Sequence, residues 1–213
     1  MAVLLVEDKL FRIHRYYLTQ GSEVFAAMFA SPSEEGKDPD GMHDDQPISL
    51  PGVTIREFEA LMDYLYLPPH ARSRYNDIQQ NMDFYRDLLS ISHRFLFDDI
   101  FQYALQQLES IRGQVPVETR LLIGDAYGLK DWLSSAYESL LDRQKAITTD
   151  ECKAMGFERV VAFLRAREFR YRERLQIAEE NLERTREGHF SSDPSRSERT
   201  PSSNQTLLKM FLL

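Results

Sequence analysis

Residues 3–29, VLLVEDKLFRIHRYYLTQGSEVFAAMF, constrain the fold of this chain more than any other stretch. Two short apolar runs, 3–6 and 10–13, are separated by Glu7, Asp8 and Lys9, the spacing of a β-hairpin with a polar turn. After His14 and Arg15 the periodicity becomes helical. Tyr17, Leu18, Val24, Phe25, Met28 and Phe29 recur at spacings of three and four, which predicts a core-facing helix over 16–29, in one piece or in two, with Gly21 and Ser22 as its weak point.

Residues 31–47 follow, with three prolines, two glycines and six acids, and read as an acidic, poorly ordered surface loop. Residues 48–50 predict a short strand. Pro51 and Gly52 then turn the chain into a helix opened by Thr54, with Glu57 three residues later as a capping box. Phe58, Leu61, Met62 and Leu65 form the buried stripe of that helix, which leaves Arg56, Glu59, Asp63 and part of Tyr64 outside. Residues 67–82 read as a second loop. An antiparallel helix pair follows, one helix through Tyr85, Leu88, Leu89, Ser92 and Phe95, the other capped at Asp98 and carrying Phe101, Ala104, Leu105 and Leu108.

The second half is helical throughout. Pro116 suits a first helical position, with Leu121, Leu122, Ala126 and Tyr127 as the stripe and Gly128 as the stop. A partner helix over 131–143 turns Trp132, Ala136, Tyr137 and Leu140 inward. Thr148 and Glu151 repeat the capping box ahead of a short helix ended by Gly156, and a long, charged helix fills 157–187. Its Leu164, Tyr171, Leu175, Ala178 and Leu182 keep heptad spacing, which a paired helix would use, but two heptads with Glu168 in the seam are short for an independent coiled coil and docking on the preceding helices is the expected use. Residues 188–213 read as a disordered tail that ends in LLKMFLL.

The composition argues against most chemistry. A net charge of −8 opposes general attraction to nucleic acid or anionic membrane, and no run of apolar residues is long enough to span a bilayer. The nine glycines show no phosphate-cradling spacing. The five histidines never pair at helical ligand spacing, and the single Cys152 offers neither an internal disulfide nor a nearby base, so no metal, cofactor or catalytic residue is expected. One cysteine and no secretory leader fit an intracellular location, cytoplasmic or nuclear. Arginines interleave with aromatics in REFRYRERL, but eight Arg against seven Glu over 157–187 make a solvated helix of ion pairs the expected reading.

The order hairpin, His14-Arg15 junction, helix, loop, short strand with PGV, helix ending LMDYLY and helix pair opening LLSISHRF resembles the BTB/POZ family over 3–110. VLLVED and the run ETRLLIGDAYGLKDWLSSAYESLLDRQKAITTDE are similar to fungal members. The resemblance implies an α+β fold, with a small sheet covered by helices over 1–112, an α-helical module over 113–187 and the tail over 188–213. It also implies a non-catalytic adaptor or scaffold that binds protein partners. Alternatives within the resemblance are a substrate adaptor of a cullin-type ubiquitin ligase and a transcriptional co-regulator. The cullin-docking region of similar adaptors falls here on Arg56, Glu59 and Asp63 and on the turn at Phe97 and Asp98. Two departures bear on this. Met1 stands where the family's first core strand begins, so homodimerisation through a swapped N-terminal segment is not expected. The glycine that commonly follows the LMDYLY-like helix end is replaced by Leu67, Pro68 and Pro69.

Overall fold

The computed structural model describes residues 1–30, 40–67 and 78–186. The readings made above for 31–39, 68–77 and 187–213, including the tail, lie outside the described residues. The chain forms two compact units, Met1–Gln114 and Val115–Leu213.

In the first unit β1 (Ala2–Val6) and β2 (Lys9–Ile13) form the expected hairpin, antiparallel from Ala2↔Ile13 to Val6↔Lys9. Lys9 belongs to the strand, so the turn is Glu7 and Asp8 alone. Glu7 adopts φ 52°, a left-handed conformation that disfavours a side chain, and its carboxylate accepts the Ile55 amide at 3.1 Å. The turn is thereby tied to the next helix. β3 (Ile48–Ser49) lies parallel to β1, giving the order β2-β1-β3. Leu50 falls outside the strand, although its N–H still donates to the Leu5 carbonyl at 2.9 Å.

The described part of the acidic loop, 40–47, is pinned to the sheet. Val3 donates to the Gly41 carbonyl at 2.8 Å, Gly41 donates to Gln46 at 2.7 Å, and Asp44 pairs with Arg12. At φ 77°, with Ile48 and the Val3 carbonyl against the place a Cβ would occupy, Gly41 is the residue that lets this loop approach the strand.

Of the two forms expected over 16–29 the structure has the divided one, α1 (Arg15–Gly21) and α2 (Glu23–Ala30), parted at the weak point. Ser22 divides them because it is buried and extended. Its hydroxyl accepts the Phe25 amide and donates to the Phe95 carbonyl, a dual role unavailable within a continuous helix. Leu18 and Phe25 are core residues, whereas Tyr17 is exposed and Met28 and Phe29 are half-buried. α3 (Ile55–Tyr66) starts at the reciprocal Thr54–Glu57 cap and buries Phe58, Ala60 and Leu61, with Met62 and Leu65 only partly covered. Phe58 meets Phe11 edge-on at 4.7 Å, which seats α3 on the sheet.

α4 (Ile78–Arg94) begins before the expected end of the loop at 82, so 78–82 are helical. Its C-terminus places Leu96 at φ 53°, with Leu96 donating to His93 and Phe97 to Ser92, the double hydrogen bond of a Schellman ending with leucine where glycine is usual. α5 (Asp98–Ser110) starts at Asp98 itself. Asp98 is therefore the first helical residue and not the cap, a position held by Phe97 without a side-chain hydrogen bond. α5 is followed by a 3-10 turn over Arg112–Gln114.

The described part of the second unit comprises α6 (Val117–Tyr127), α7 (Lys130–Asp142), α8 (Thr149–Met155) and α9 (Phe157–Arg186). Pro116 is the residue before α6 and not its first residue. α6 buries Arg120, Leu121, Ile123 and Gly124, while Leu122 and Ala126 of the expected stripe face solvent. The reason is close packing: Leu133 fills the space where a Gly124 Cβ would stand, and Arg120 turns inward to donate to Ser135 and Ser139. Gly128 at φ 65° ends α6 as expected. Tyr137, Leu140, Met155, Phe163 and Ala166 complete the core. α9 docks through Phe163 and Ala166, so the heptad positions Leu164, Tyr171, Leu175 and Leu182 stay exposed.

Candidate protein-binding cleft

The geometry of the site begins with the fastening of α3 to α4. Glu57 accepts the Thr54 amide at 2.8 Å and the Ser90 hydroxyl from α4. Burial disfavours its carboxylate, but the Ser90 and Thr54 hydrogen bonds together hold its pKa below the ordinary value. One residue before, Arg56 donates to Asp87 at 2.9 Å. With α3 and α4 fixed in this way, their outer faces enclose a cleft of about 320 Å³ lined by Arg56, Glu59, Asp63, Asp83, Phe84 and Asp87, with Ala60 at its base.

The floor is apolar and the walls are acidic. Ala60 and Phe84 are buried, and four carboxylates face one guanidinium across the lining. Several of these charges are partly matched: Lys9 pairs with Glu59 at 2.6 Å, and Arg86 lies 3.4 Å from Asp83 and 3.6 Å from Asp87. Of Glu59, Asp83 and Asp87, Asp87 is the least exposed, at 14% of its side chain. Burial raises its pKa above the ordinary aspartate value, although the charges of Arg56 and Arg86 pull the other way. The ionised carboxylate is thus held where the fold disfavours it.

A second, more apolar cleft of about 340 Å³ lies between β2 and the end of α3, lined by Phe11, Ile13, His14, Met62, Tyr66 and Leu67, with Arg12 and Asp63 at its rim. Tyr66 closes one end by accepting the His14 amide at 3.0 Å and standing 4.8 Å from the Tyr17 ring. Asp63 borders both clefts.

The structure brings together three of the five sequence-predicted residues, Arg56, Glu59 and Asp63. Phe97 and Asp98 line neither cleft. Phe97 is a core residue at 1% exposure, packed 5.9 Å from the Phe25 ring and against Gly21, because the left-handed Leu96 turns the chain inward after α4. Leu96 itself is the exposed apolar residue of that turn. Asp98 is exposed in the first turn of α5, where its charge favours the helix N-terminus. The sequence reading missed Asp83, Phe84 and Asp87. Their signal was present, two aspartates four apart with a phenylalanine between them on one helical face, but it lay at the edge of a stretch read as loop.

Among the described residues no cluster of three or more His, Cys, Asp or Glu side chains is arranged to hold a metal ion. No described helix is long and apolar enough to cross a membrane. No curated protein matches the chain. The BTB/POZ domain family model matches residues 2–111, which takes in the sheet, α1 to α5 and both clefts. More than half of the sequence is thereby accounted for, and the chain belongs to the BTB/POZ family.

Proposed function

We propose that this chain is an intracellular, non-catalytic adaptor or scaffold that engages a protein partner through the α3–α4 cleft. BTB/POZ domains are in general protein-protein interaction modules without catalytic chemistry, which supports this class of function. The observation that carries the reading is the cleft itself, with Ala60 and Phe84 buried beneath four carboxylates, of which Asp87 keeps only 14% of its side chain exposed. Partly desolvated acids concentrate where a surface has a use. Above the apolar floor of Ala60 and Phe84, the acidic walls suit a partner segment that presents an arginine or lysine on an apolar stem. Affinity capture with mass spectrometry tests this, using the wild type and an Arg56→Glu/Asp63→Arg variant whose folding is verified by circular dichroism. Partners held by the wild type are expected to be lost from the variant. An unchanged set of partners would place the interface elsewhere.

A second reading, substrate adaptor of a cullin-type ubiquitin ligase, is favoured by the position of Arg56, Glu59 and Asp63 on the outer side of α3, the region that similar adaptors use. Its test is binding of a purified cullin to the same two proteins. Absence of binding by the wild type would remove it.

A further inference from the structure

The geometry of α9 points to a second copy of this chain as its partner: we propose that α9 pairs antiparallel with the α9 of another molecule. This inference stands apart from the α3–α4 cleft. α9 runs for 30 residues, about 45 Å, and only its first half is docked. Phe163, Ala166 and Arg170 are buried, but from Tyr171 to Thr185 every side chain except Glu173 is exposed. An exposed helical segment of this length is normally polar all round. This one is not. Leu164, Tyr171, Leu175 and Leu182 form one stripe and are between 43 and 62% exposed, with Ala178 in the same row.

The period of that stripe identifies the kind of partner. Leu164, Tyr171 and Ala178 are seven residues apart, Leu175 and Leu182 are seven apart, and the two sets alternate by four and three. Phe157, 84% exposed, and the half-buried Val161 continue the same alternation towards the N-terminus of the helix. Heptad spacing keeps a narrow seam facing one other helix along its length, which neither a sheet nor an extended peptide requires.

Charge identifies the copy and the direction. Over 165–174 the helix carries five arginines against two glutamates, and over 176–183 three glutamates and no arginine or lysine. A basic stretch followed by an acidic one, ahead of Arg184 and Arg186, complements the same stretch of a second copy only when reversed. In the antiparallel register Leu164 faces Leu182 of the partner, Tyr171 faces Leu175, and Arg165 flanks Glu179, each twice by symmetry. Glu168, the polar seam residue, then meets the small Ala178 and not a second Glu168, as a parallel pair would demand. Arg172 and Arg174 come closest to their own copies at the dyad. Arg172 is neutralised within its helix by Glu168 at 2.6 Å, and Arg174 lies 3.9 Å from Asp142.

The test is sedimentation of the full chain at tens of micromolar. The wild type is expected to be a dimer, and a Leu175→Glu/Leu182→Glu variant a monomer with unchanged circular dichroism and Trp132 emission. Both substituted positions are solvent-exposed, so folding is retained. A monomeric wild type, or a variant that stays dimeric, would overturn the proposal. Direction is read by oxidation in a Cys152→Ser background. Leu164→Cys protein mixed with Leu182→Cys protein is expected to cross-link, and Leu182→Cys protein alone is not. Cross-linking of Leu182→Cys protein alone would refute the antiparallel arrangement.

Discussion

Glu151→Ala gives a direct test of how the helical module is held together. Glu151 is 3% exposed and accepts Arg143 through both carboxylate oxygens, at 2.8 and 2.7 Å, and the Thr148 amide at 2.7 Å. One side chain therefore closes the cap of α8 and fastens the end of α7 to it. Losing a reciprocal cap removes about 1 kcal/mol, and deleting one member of a buried ion pair costs about 3–5 kcal/mol. The Arg143 side chain keeps 29% of its surface exposed and can rehydrate, so the lower end of that range applies. The expected loss is about 3 to 4 kcal/mol, read by urea unfolding through the emission of Trp132, the chain's single tryptophan, which is buried in α7. The pH dependence has a defined sign. Arg143 holds the Glu151 pKa below its ordinary 4.5, so this stabilisation is complete above that value and fades as pH falls through the lowered one. The variant is expected to lack that fading. A loss under about 1 kcal/mol, far below a buried pair's range, would refute this account of the α7–α8 connection.

Gly124→Ala gains helix propensity, about 1 kcal/mol, yet is expected to destabilise the module by about 1 to 2 kcal/mol net, because a Cβ there would stand 2.7 Å from Leu133; the same Trp132 unfolding curve measures it. Asp87→Asn is expected to leave thermal stability unchanged or raised while weakening partner binding. Its raised pKa means that the folded state loses stability as pH rises through that value, and the amide removes the loss, as melts at pH 4 and pH 7 will show. Phe97→Ala is expected to destabilise the first unit by about 3–5 kcal/mol and Asp98→Ala by no more than about 1, measured by circular dichroism melting. The reverse order would return Phe97 to the surface.

What the sequence made legible was governed by short-range rules. Thr54 with Glu57 and Thr148 with Glu151 mark helix starts because cap and partner lie three residues apart, and Gly128 marks a stop because only its own backbone must turn. The rest depended on residues far apart in the chain. Ser22 breaks the first helix because it reaches Phe95, 73 positions away. Leu96 enters the left-handed region and carries Phe97 into the core, a step that hydrophobic periodicity does not encode. The buried face of α6 is chosen by how closely Leu133 approaches Gly124, so Ile123 is covered and the more conspicuous Leu122 is not. Half of the cleft was readable from the polar side of α3. The other half, Asp83, Phe84 and Asp87, becomes a site only when the Glu57–Ser90 hydrogen bond sets α4 beside it.

Hydrogen exchange of the full chain, measured free and in complex with a captured and purified partner, tests the binding account most directly. The account predicts slowed exchange in 55–67 and in the first half of α4, with abolition of both effects by Arg56→Glu/Asp63→Arg. Slowed exchange confined to other segments, or protection of 55–67 that survives the double substitution, would contradict it.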